Sequence, residues 1–249
     1  MKIIVADNYL HLSEIAAGVI AKVVLEKPNA VLGLATGSSP IGTYKKLIDY
    51  YQNGLISFAN VNTVNLDEYV GLSFDHEQSY HYFMHHNLFD RIDLAEGNIH
   101  IPSGIGEDLE KNCREYDAVL KKYPRDIQLL GIGANGHIGF NEPNTPFGSD
   151  THIVDLTEKT ITDNARFFAD ISEVPKKAIT MGIREICKAK KALIIASGKN
   201  KADAVYKMVC GSVTEKCPAS ILQLHNDVTL VVDKEAASKL DENEIAQAV

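Results

Sequence analysis

The stretch VLGLATGSSPIGTYKKLIDYYQ, Val31–Gln52, changes from an apolar run to a turn rich in glycine and hydroxyl groups, and then to an amphipathic pattern. Val31–Ala35 is apolar throughout, which is typical of a strand buried on both faces of a parallel sheet. Pro40–Gln52 repeats its apolar residues at helical spacing, with Ser39 as the predicted cap and Pro40 in the first turn. The stretch therefore predicts a strand, a tight turn and a helix, the repeating unit of an α/β fold.

The rest of the chain continues this alternation, with a further helix predicted over Lys201–Val209. The other predicted strands are Lys2–Ala6, Val61–Leu66, Ile127–Ile132, Ala178–Met181, Ala192–Ala196 and Thr229–Val232. We therefore predict that residues 1–249 form a single doubly wound, Rossmann-like α/β domain with a mostly parallel sheet. Ligands of such folds bind at the carboxyl ends of the strands, so the residues that follow each strand are the functional candidates.

Charge, apolar runs and cysteine spacing argue against several classes of partner. The net charge is −8, from 25 Lys and Arg against 33 Asp and Glu, whereas proteins that bind duplex nucleic acid need a basic surface. No apolar run approaches the ~20 residues of a membrane span, and the N-terminus lacks the apolar core of a signal peptide. The four cysteines form no CxxC pair or zinc spacing, which favours reduced thiols. We predict a cytoplasmic protein that binds neither nucleic acid nor membranes.

Two strand ends have the features of an anion site. The turn after Val31–Ala35 combines a flexible glycine with three hydroxyl side chains, and the next helix start offers unpaired N–H groups and a partial positive charge. The residues of this turn are Thr36, Gly37, Ser38 and Ser39. After Ala192–Ala196, a second glycine turn carries Lys199 and Lys201 into a helix, where a lysine is misplaced unless an anion is bound. The alternatives are a plain capped turn and solvated surface lysines.

Two adjacent acids, Asp67 and Glu68, follow the predicted strand Val61–Leu66. Successive strand residues point to opposite faces, so one carboxylate can face the ligand crevice while the other turns away. A carboxylate in that crevice is a candidate general base. A helix cap or an ion pair explains the same two acids equally well.

The segment GIGANGHIGFNEP, Gly131–Pro143, follows the predicted strand Ile127–Ile132. His137 can act as an acid or a base near neutral pH, and Asn135 and Glu142 lie close enough in sequence to orient its ring. The cluster favours acid–base chemistry, with a structural histidine as the alternative. Three glycines are expected to allow close backbone approach to a ligand: Gly133, Gly136 and Gly139.

His81 and His85 lie four residues apart in a predicted helix, which is the spacing of many zinc-binding helices. No glutamate accompanies them in an HExxH motif, and no cysteine cluster is near. A partly exposed helical face is the favoured interpretation, and the sequence predicts no metal site.

Six segments, taken together and in order, resemble the glucosamine-6-phosphate deaminase family. They are LATGSSPIGTYKKL, NLDEYVGL, SYHYFMHHNLFD, GIGANGHIGFNEP, NARFF and ILQLH, and they extend from Val31 to about Val232. NLDEYVGL and GHIGFNEP are specific to this family within its superfamily. The resemblance implies a hydrolase that converts glucosamine 6-phosphate and water to fructose 6-phosphate and ammonium in amino-sugar catabolism, without a metal or redox cofactor.

The resemblance also implies roles for individual residues. Asp67 would accept the proton during enolisation, and His137, supported by Glu142, would open the sugar ring. Asn135 stands where many members carry aspartate; its amide can hold His137 by a hydrogen bond but adds no negative charge. The expected substrate- and phosphate-binding residues are Thr36, Gly37, Ser38, Ser39, Gly136, Arg166 and Lys201.

Two other functions stay open at this point. A sugar-phosphate lactonase of the same superfamily would share the phosphate site but would not need a carbon-acid base at Asp67. A sugar-phosphate-sensing domain of a transcription regulator would carry a DNA-binding module, for which the elements from Lys2 to about Val232 leave no room. The deaminase is favoured, as is a monomer. Thr151–Asp155 lacks the basic residues of relatives activated by N-acetylglucosamine 6-phosphate, so we expect no such activation.

Overall fold

The structure, a computed structural model, describes residues 1–158, 161–162, 165, 168 and 170–241. Its main element is a seven-stranded sheet whose paired strands are all parallel. Numbered along the chain, these strands are β1 (Lys2–Ala6), β2 (Val31–Leu34), β3 (Asn62–Asn65), β5 (Ile99–His100), β6 (Ile127–Gly131), β9 (Ala192–Ala196) and β10 (Val228–Asp233). Their order is β1-β10-β9-β6-β2-β3-β5. The predicted α/β class with a mostly parallel sheet is confirmed.

A smaller sheet of three antiparallel strands begins directly after β3. Its strands are β4 (Asp67–Tyr69), β7 (His152–Asp155) and β8 (Lys177–Thr180), in the order β4-β8-β7. The predicted strand Val61–Leu66 contains β3, whereas β4 was not predicted, because the chain passes at Leu66 from one sheet to the other. The Leu66 N–H donates to the Leu34 carbonyl (3.1 Å), while the Leu66 carbonyl accepts from the Met181 N–H (2.6 Å). This crossing holds the next residue, Asp67, at the junction of the two sheets.

Two of the remaining strand predictions match the structure, and the others differ from it at their ends or in the sheet to which the strand belongs. Lys2–Ala6 and Ala192–Ala196 match β1 and β9. The predicted strand Ala178–Met181 is β8, which belongs to the antiparallel sheet. β5 and β7 were not predicted, because β5 has only two residues and no residue of β7 is fully buried.

The helices that lie wholly within the described residues are α1 (Tyr9–Glu26), α2 (Ile41–Gln52), α3 (Tyr80–Asn87), α4 (Leu109–Lys122), α5 (Ile183–Cys187) and α6 (Ala202–Cys210). The side chains of Asn8, Ser79 and Asp108 cap α1, α3 and α4. The predicted Ser39 cap of α2 is wrong: Pro40 already has helical backbone angles and is the N-cap, without a side-chain hydrogen bond.

The core is built from the apolar strands and the inner faces of the helices. Every residue of β2 and β9 is buried, and α1 directs Leu12, Ala16 and Ile20 inward. Full burial of one such leucine or isoleucine contributes about 1.5–3 kcal/mol. Among the described residues, no helix has the length and apolar character needed to cross a membrane. Because its strands are buried between helices, the sheet holds its strand ends, and the loops that follow them, in place.

Candidate active site

Four adjacent strands of the large sheet end beside one cavity. β9, β6, β2 and β3 are neighbours in that order, and the chain proceeds outward in opposite directions from β2 and from β6. Such a reversal opens a crevice at the carboxyl ends of the strands. The cavity there has a volume of about 480 Å³. Its polar lining residues are Thr36, Ser38, Ser39, Asp67, Tyr80, Asn135, His137, Thr157, Asn200 and Lys201.

This cavity brings together most of the site residues predicted from the sequence. Those that line it are Thr36, Gly37, Ser38, Ser39, Asp67, Asn135, His137 and Lys201. Glu142 lies behind His137 rather than on the cavity wall. Gly136 is not among the lining residues, because its Cα faces Cys217. Arg166 lies outside the described residues.

Asp67 lies where the chain leaves β3, and its side chain is deeply buried. The residue is 6 % exposed, pairs with Thr180 across the small sheet and borders the cavity. Burial, with a smaller contribution from the neighbouring Glu68 carboxylate, raises the pKa of Asp67 to about 8. A carboxyl group whose pKa lies near the working pH is suited to accept and return a proton.

Glu68 points away from the cavity and caps α3. Its carboxylate accepts hydrogen bonds from the backbone N–H groups of Tyr69 (2.8 Å), Tyr80 (2.9 Å) and His81 (2.9 Å). Burial raises the pKa of Glu68, and the three N–H groups oppose that shift. Each of the two roles considered for this acid pair therefore belongs to one residue: Glu68 is the helix cap, and Asp67 is the candidate base.

In the loop after β6, Glu142 lies between Asn135 and His137. Glu142 Oε1 is 3.4 Å from His137 Nδ1, and Glu142 Oε2 accepts a 2.6 Å hydrogen bond from Asn135 Nδ2. Asn135 Oδ1 accepts from the His137 backbone N–H (3.2 Å). The expected hydrogen bond between the Asn135 amide and His137 is present, but it is made to the His137 backbone N–H in a local turn rather than to the ring. The Nδ2 end of the same amide positions Glu142, which faces the ring.

Two of the three glycines of this loop, Gly133 and Gly139, line the cavity, and all three also let the loop pack closely on other protein groups. A Cβ at Gly133 would lie 2.4 Å from the His137 ring, and a Cβ at Gly136 would lie 2.5 Å from Cys217 Sγ. Gly139 has a φ of 58°, in the left-handed region that favours glycine. Gly133 and Gly139 therefore lie where close backbone approach to a ligand was expected, and Gly133 also makes room for the His137 ring, whereas Gly136 packs against Cys217.

The turn after β2 is held by a tyrosine from the start of α1. The Tyr9 hydroxyl donates to the carbonyls of Ser38 and Ser39 (3.1 Å each) and accepts from the Gly42 N–H (2.9 Å). Gly37, with a φ of 87°, reverses the chain before α2. These contacts fix hydroxyl side chains and a helix start beside the cavity, an arrangement that suits phosphate.

The second glycine turn adds positive charge. Lys201 lines the cavity immediately before α6. Lys199 is not among the lining residues, and its N–H donates to Glu235 (3.3 Å). The Gly198 N–H donates to Asp233 at the end of β10, which anchors the turn to the sheet. The structure therefore favours Lys201 over Lys199 as the phosphate-binding lysine.

Several cavity residues were missed by sequence reasoning. Tyr80 comes from α3, its ring stacks with Phe140 (centroids 6.0 Å apart), and its hydroxyl is 3.4 Å from the Tyr69 hydroxyl. Burial raises the pKa of Tyr80 well above its usual range, so the hydroxyl stays protonated and can donate a hydrogen bond. Thr157 and Asn200 also line the cavity. Tyr80 and Thr157 carry no local signal, because each reaches the cavity through the packing of its own segment, whereas Asn200 lies between Lys199 and Lys201 in the predicted glycine turn.

One cluster of side chains could hold a metal ion, among the residues that the structure describes. His81, His85 and Glu96 place their ligand atoms within 4.8 Å of one another. None of the three lines the cavity. The prediction of no metal site considered the two histidines alone, and the structure adds Glu96 as a third potential ligand.

Comparison with known proteins agrees with the resemblance of the six segments. The family model described as glucosamine-6-phosphate isomerases/6-phosphogluconolactonase matches residues 7–231. A glucosamine-6-phosphate deaminase of Thermoanaerobacter sp. (strain X514) is 55 % identical over 248 residues, which are 99 % of this chain and 98 % of that protein.

Solved structures give the same result. A glucosamine-6-phosphate deaminase described as monomeric matches with a TM-score of 0.94 and 52 % identity, over 96 % of this chain and 99 % of that one. The 6-phosphogluconolactonase of Trypanosoma cruzi matches with a TM-score of 0.78 but only 19 % identity, over 96 % of each chain, and so shares the fold alone. The chain therefore belongs to the glucosamine-6-phosphate isomerase/6-phosphogluconolactonase family and, within it, to the glucosamine-6-phosphate deaminases.

Proposed function

We propose that this chain catalyses the isomerising deamination of glucosamine 6-phosphate, a reaction of the hydrolase class that yields fructose 6-phosphate and ammonium. The observation that carries the proposal is the position of Asp67. A buried carboxyl group with a raised pKa borders the same cavity as His137 and the turn held by Tyr9. A carbon-acid base, a ring-opening group and an anion site are the parts that this reaction needs.

The phosphate binds at the edge of the cavity between the two glycine turns. The hydroxyl groups of Ser38 and Ser39 and the N–H groups at the start of α2 donate hydrogen bonds to it, and Lys201 adds a charge-assisted contact. Arg166 is proposed as a further phosphate ligand from the family resemblance. Anchoring the phosphate holds the far end of the sugar beside His137 and Asp67, so that binding energy positions the reacting carbon.

His137 opens the sugar ring. Its imidazole takes the proton of the C1 hydroxyl and delivers a proton to the ring oxygen, while the bond between C1 and the ring oxygen breaks to give the open-chain aldehyde. Glu142, 3.4 Å from His137 Nδ1 and held by Asn135, stabilises the imidazolium form when it arises. The long contact is expected to shorten when substrate closes the site.

Asp67 moves a proton between adjacent carbons. In its ionised form it removes the proton from C2 of the open-chain sugar, and the electron pair forms the C1–C2 double bond of an enolamine as the C1=O π bond breaks. The C1 oxygen takes up a proton, which the C2 ammonium group gives up. Return of the proton to C1 leaves an imine at C2. Water adds to C2, the C–N bond breaks, and ammonium and fructose 6-phosphate are released. Each proton taken up is returned, so the enzyme ends in its starting state.

The lactonase alternative is the second candidate. It would use the anion site and an activated water but would give no task to a buried base at Asp67. The full-length identity of 55 % to a deaminase, against 19 % to a lactonase structure, supports the deaminase.

The test follows ammonium and fructose 6-phosphate together, with glucosamine 6-phosphate as substrate and a chelator present to remove metals. The same preparation is offered 6-phosphogluconolactone, and Asp67→Asn serves as the control for contaminating activity. Stoichiometric release of both products by the wild type supports the proposal. Hydrolysis of the lactone without release of ammonium would overturn it in favour of the lactonase.

We also propose that the enzyme acts as a monomer in the cytoplasm. The similarity to a deaminase described as monomeric supports the first part, and four free cysteines are compatible with a reducing compartment. Light scattering after gel filtration should give a mass near the 27.3 kDa of one chain. A multiple of that mass at working concentration would refute the monomer.

A further inference from the structure

The exposed side of α3 carries a cluster unrelated to the cavity. His81 and His85 are one helical turn apart, with ring centroids 4.5 Å from each other. Glu96 comes from a separate turn, the 3₁₀ segment Glu96–Asn98 that precedes β5. The ligand atoms of all three side chains lie within 4.8 Å of one another. Two imidazoles and one carboxylate form a donor set typical of zinc and related divalent metals.

The hydrogen bonds of His85 leave a nitrogen directed at this cluster. His85 Nδ1 lies 2.7 Å from Asp90 Oδ1, so Nδ1 carries the proton and Nε2 carries the lone pair. Nε2 is buried and has no hydrogen-bond partner among the described residues, and it lies 4.0 Å from Glu96 Oε1. A carboxylate that holds the far nitrogen of a ligating histidine is the usual outer partner at metal sites. The arrangement therefore explains an otherwise unsatisfied buried nitrogen.

The distances suit a metal ion after a small closure. Ligand atoms around a tetrahedral zinc lie about 3.3 Å apart, given bonds of about 2.0–2.1 Å. The 4.0 Å separation of His85 Nε2 and Glu96 Oε1 must shorten by about 0.7 Å, and any pair of ligand atoms at the 4.8 Å limit of the cluster by about 1.5 Å. Glu96 can supply this movement, because its side chain is 76 % exposed. Burial, together with the neighbouring His85 ring, lowers the pKa of His81 and so favours the neutral form that metals bind.

We propose that His81, His85 and Glu96 form a binding site for a divalent transition metal such as zinc, with water in the remaining position and Asp90 orienting His85. The site lies outside the cavity and takes no part in the deamination chemistry. It cross-links α3 to the turn before β5.

The cross-link joins residues of α3, the helix that supplies Tyr80 to the cavity. The His81 N–H and the Tyr80 N–H both donate to Glu68, the residue next to Asp67. A metal held by His81 and His85 therefore stiffens the helix that supplies Tyr80 to the cavity. Binding to the folded state alone raises the melting temperature, by an amount that grows with the logarithm of the metal concentration once it exceeds Kd. The expected effect is thermal stabilisation by zinc, whether or not substrate is present.

The test is titration of the metal-free protein with Zn²⁺ by calorimetry, followed by melting scans with and without Zn²⁺. All proteins carry Cys210→Ser, which removes an exposed thiol as a competing ligand. The test variants are Glu96→Gln and His85→Gln. The matched controls are Glu77→Gln and His86→Gln, which alter an exposed acid and an exposed histidine close by. Mg²⁺ serves as the control ion, because it prefers oxygen ligands.

We expect one zinc per chain and a rise in melting temperature with Zn²⁺ but not with Mg²⁺. Glu96→Gln and His85→Gln should each weaken zinc binding at least about tenfold, and both controls should bind like the parent. Glu96→Gln keeps the test decisive even if His85→Gln folds poorly, because Glu96 is exposed. Equal zinc affinity in the parent, Glu96→Gln and the folded His85→Gln would overturn the proposal, as would the absence of zinc binding to the parent.

Discussion

At the scale of single residues, Asp67 and Glu68 are adjacent carboxylates in opposite surroundings. Glu68 is surrounded by three backbone N–H groups, which favour its ionised form against the cost of burial. Asp67 lies at the cavity edge, where burial favours its neutral form in the absence of substrate. Their surroundings therefore give the two residues different roles, although they are adjacent in sequence: Glu68 caps a helix, and Asp67 is the candidate general base.

Asp67→Asn should abolish turnover while leaving substrate binding largely intact. The amide keeps the shape of the side chain but cannot accept the C2 proton, and loss of a general base costs about 10²–10⁴ in rate. The variant should also fail to exchange the C2 hydrogen of glucosamine 6-phosphate with deuterated water, as followed by NMR. Exchange at the wild-type rate would remove Asp67 from the role of base.

Asp67→Asn should also remove part of the pH dependence of the free energy of unfolding. Native Asp67 keeps its proton up to about pH 8, whereas the unfolded group loses it near 3.8. Between these values the native state binds more protons, so wild-type stability falls as pH rises, by at most about 1.4 kcal/mol per pH unit from this group. Urea denaturation at about pH 5 and about pH 8 should show Asp67→Asn gaining on the wild type at the higher pH. An unchanged difference between the two pH values contradicts the raised pKa.

His137→Gln should slow ring opening and spare the later proton transfer. Some open-chain sugar forms spontaneously in water, so the variant should keep a residual turnover limited by that supply. Stopped-flow measurement with freshly generated open-chain substrate should show near wild-type exchange at C2. Complete loss of exchange under those conditions would mean that His137 acts on carbon as well.

At the scale of elements, the cavity depends on how turns are held rather than on the turns alone. The segment after β2 has its hydroxyl groups from local sequence, but the Tyr9 hydroxyl of α1 sets its path. The loop after β6 folds back on itself because Gly133 accommodates the His137 ring. Each functional segment thus receives its final geometry from a neighbouring element.

Lys201→Ala should raise KM more than it lowers kcat, because the lysine is proposed to bind a non-reacting phosphate. Some loss of kcat is expected as well, since remote binding positions the reacting carbon. Lys199→Ala is the matched control, because Lys199 does not line the cavity. Steady-state kinetics of both variants decide the assignment; a KM effect confined to Lys199→Ala would transfer the role to that residue.

At the scale of the whole molecule, the parallel sheet and the small antiparallel sheet meet at Leu66, and buried polar contacts tie outer segments to this framework. Arg125, which is 1 % exposed and precedes β6, donates to the backbone carbonyl of Glu185 in α5 and lies 3.7 Å from its carboxylate. Burial lowers the pKa of Arg125, and the Glu185 carboxylate opposes that shift. The Glu185 carboxylate also accepts a 2.5 Å hydrogen bond from Lys188, so Arg125 contributes mainly its buried side chain and its contact with the Glu185 carbonyl.

Arg125→Ala removes this large buried side chain and its carbonyl contact, and should lower the free energy of unfolding by about 2–5 kcal/mol. Arg184→Ala is the control, because Arg184 pairs with Asp150 at the exposed surface and should cost only about 0–1 kcal/mol. Urea denaturation of both variants measures the difference. KM for the substrate should stay near the wild-type value in the folded fraction of each, and equal costs for the two arginines would contradict the role of burial.

Local patterns were sufficient for the fold class and for most of the candidate site. Apolar runs without alternation indicated strands covered on both faces, and glycine or hydroxyl residues after them indicated the turns at which ligands bind. Asp67, His137 and the turn from Thr36 to Ser39 could be predicted because each lies directly after a strand. Such signals involve residues that are close together in the sequence, so they can be recognised without the structure.

Contacts between distant segments were decided only by the tertiary structure. Four features join residues whose relation no local pattern records: the passage of the chain between the two sheets at Leu66, the hydrogen bonds of Tyr9, the capping of α3 by Glu68 and the approach of Glu96 to His85. By itself, the sequence determined the order of strands and helices and the chemical groups at their ends. The tertiary structure decided which groups face the cavity and what holds them there, because burial and hydrogen bonding depend on packing between elements far apart in the chain.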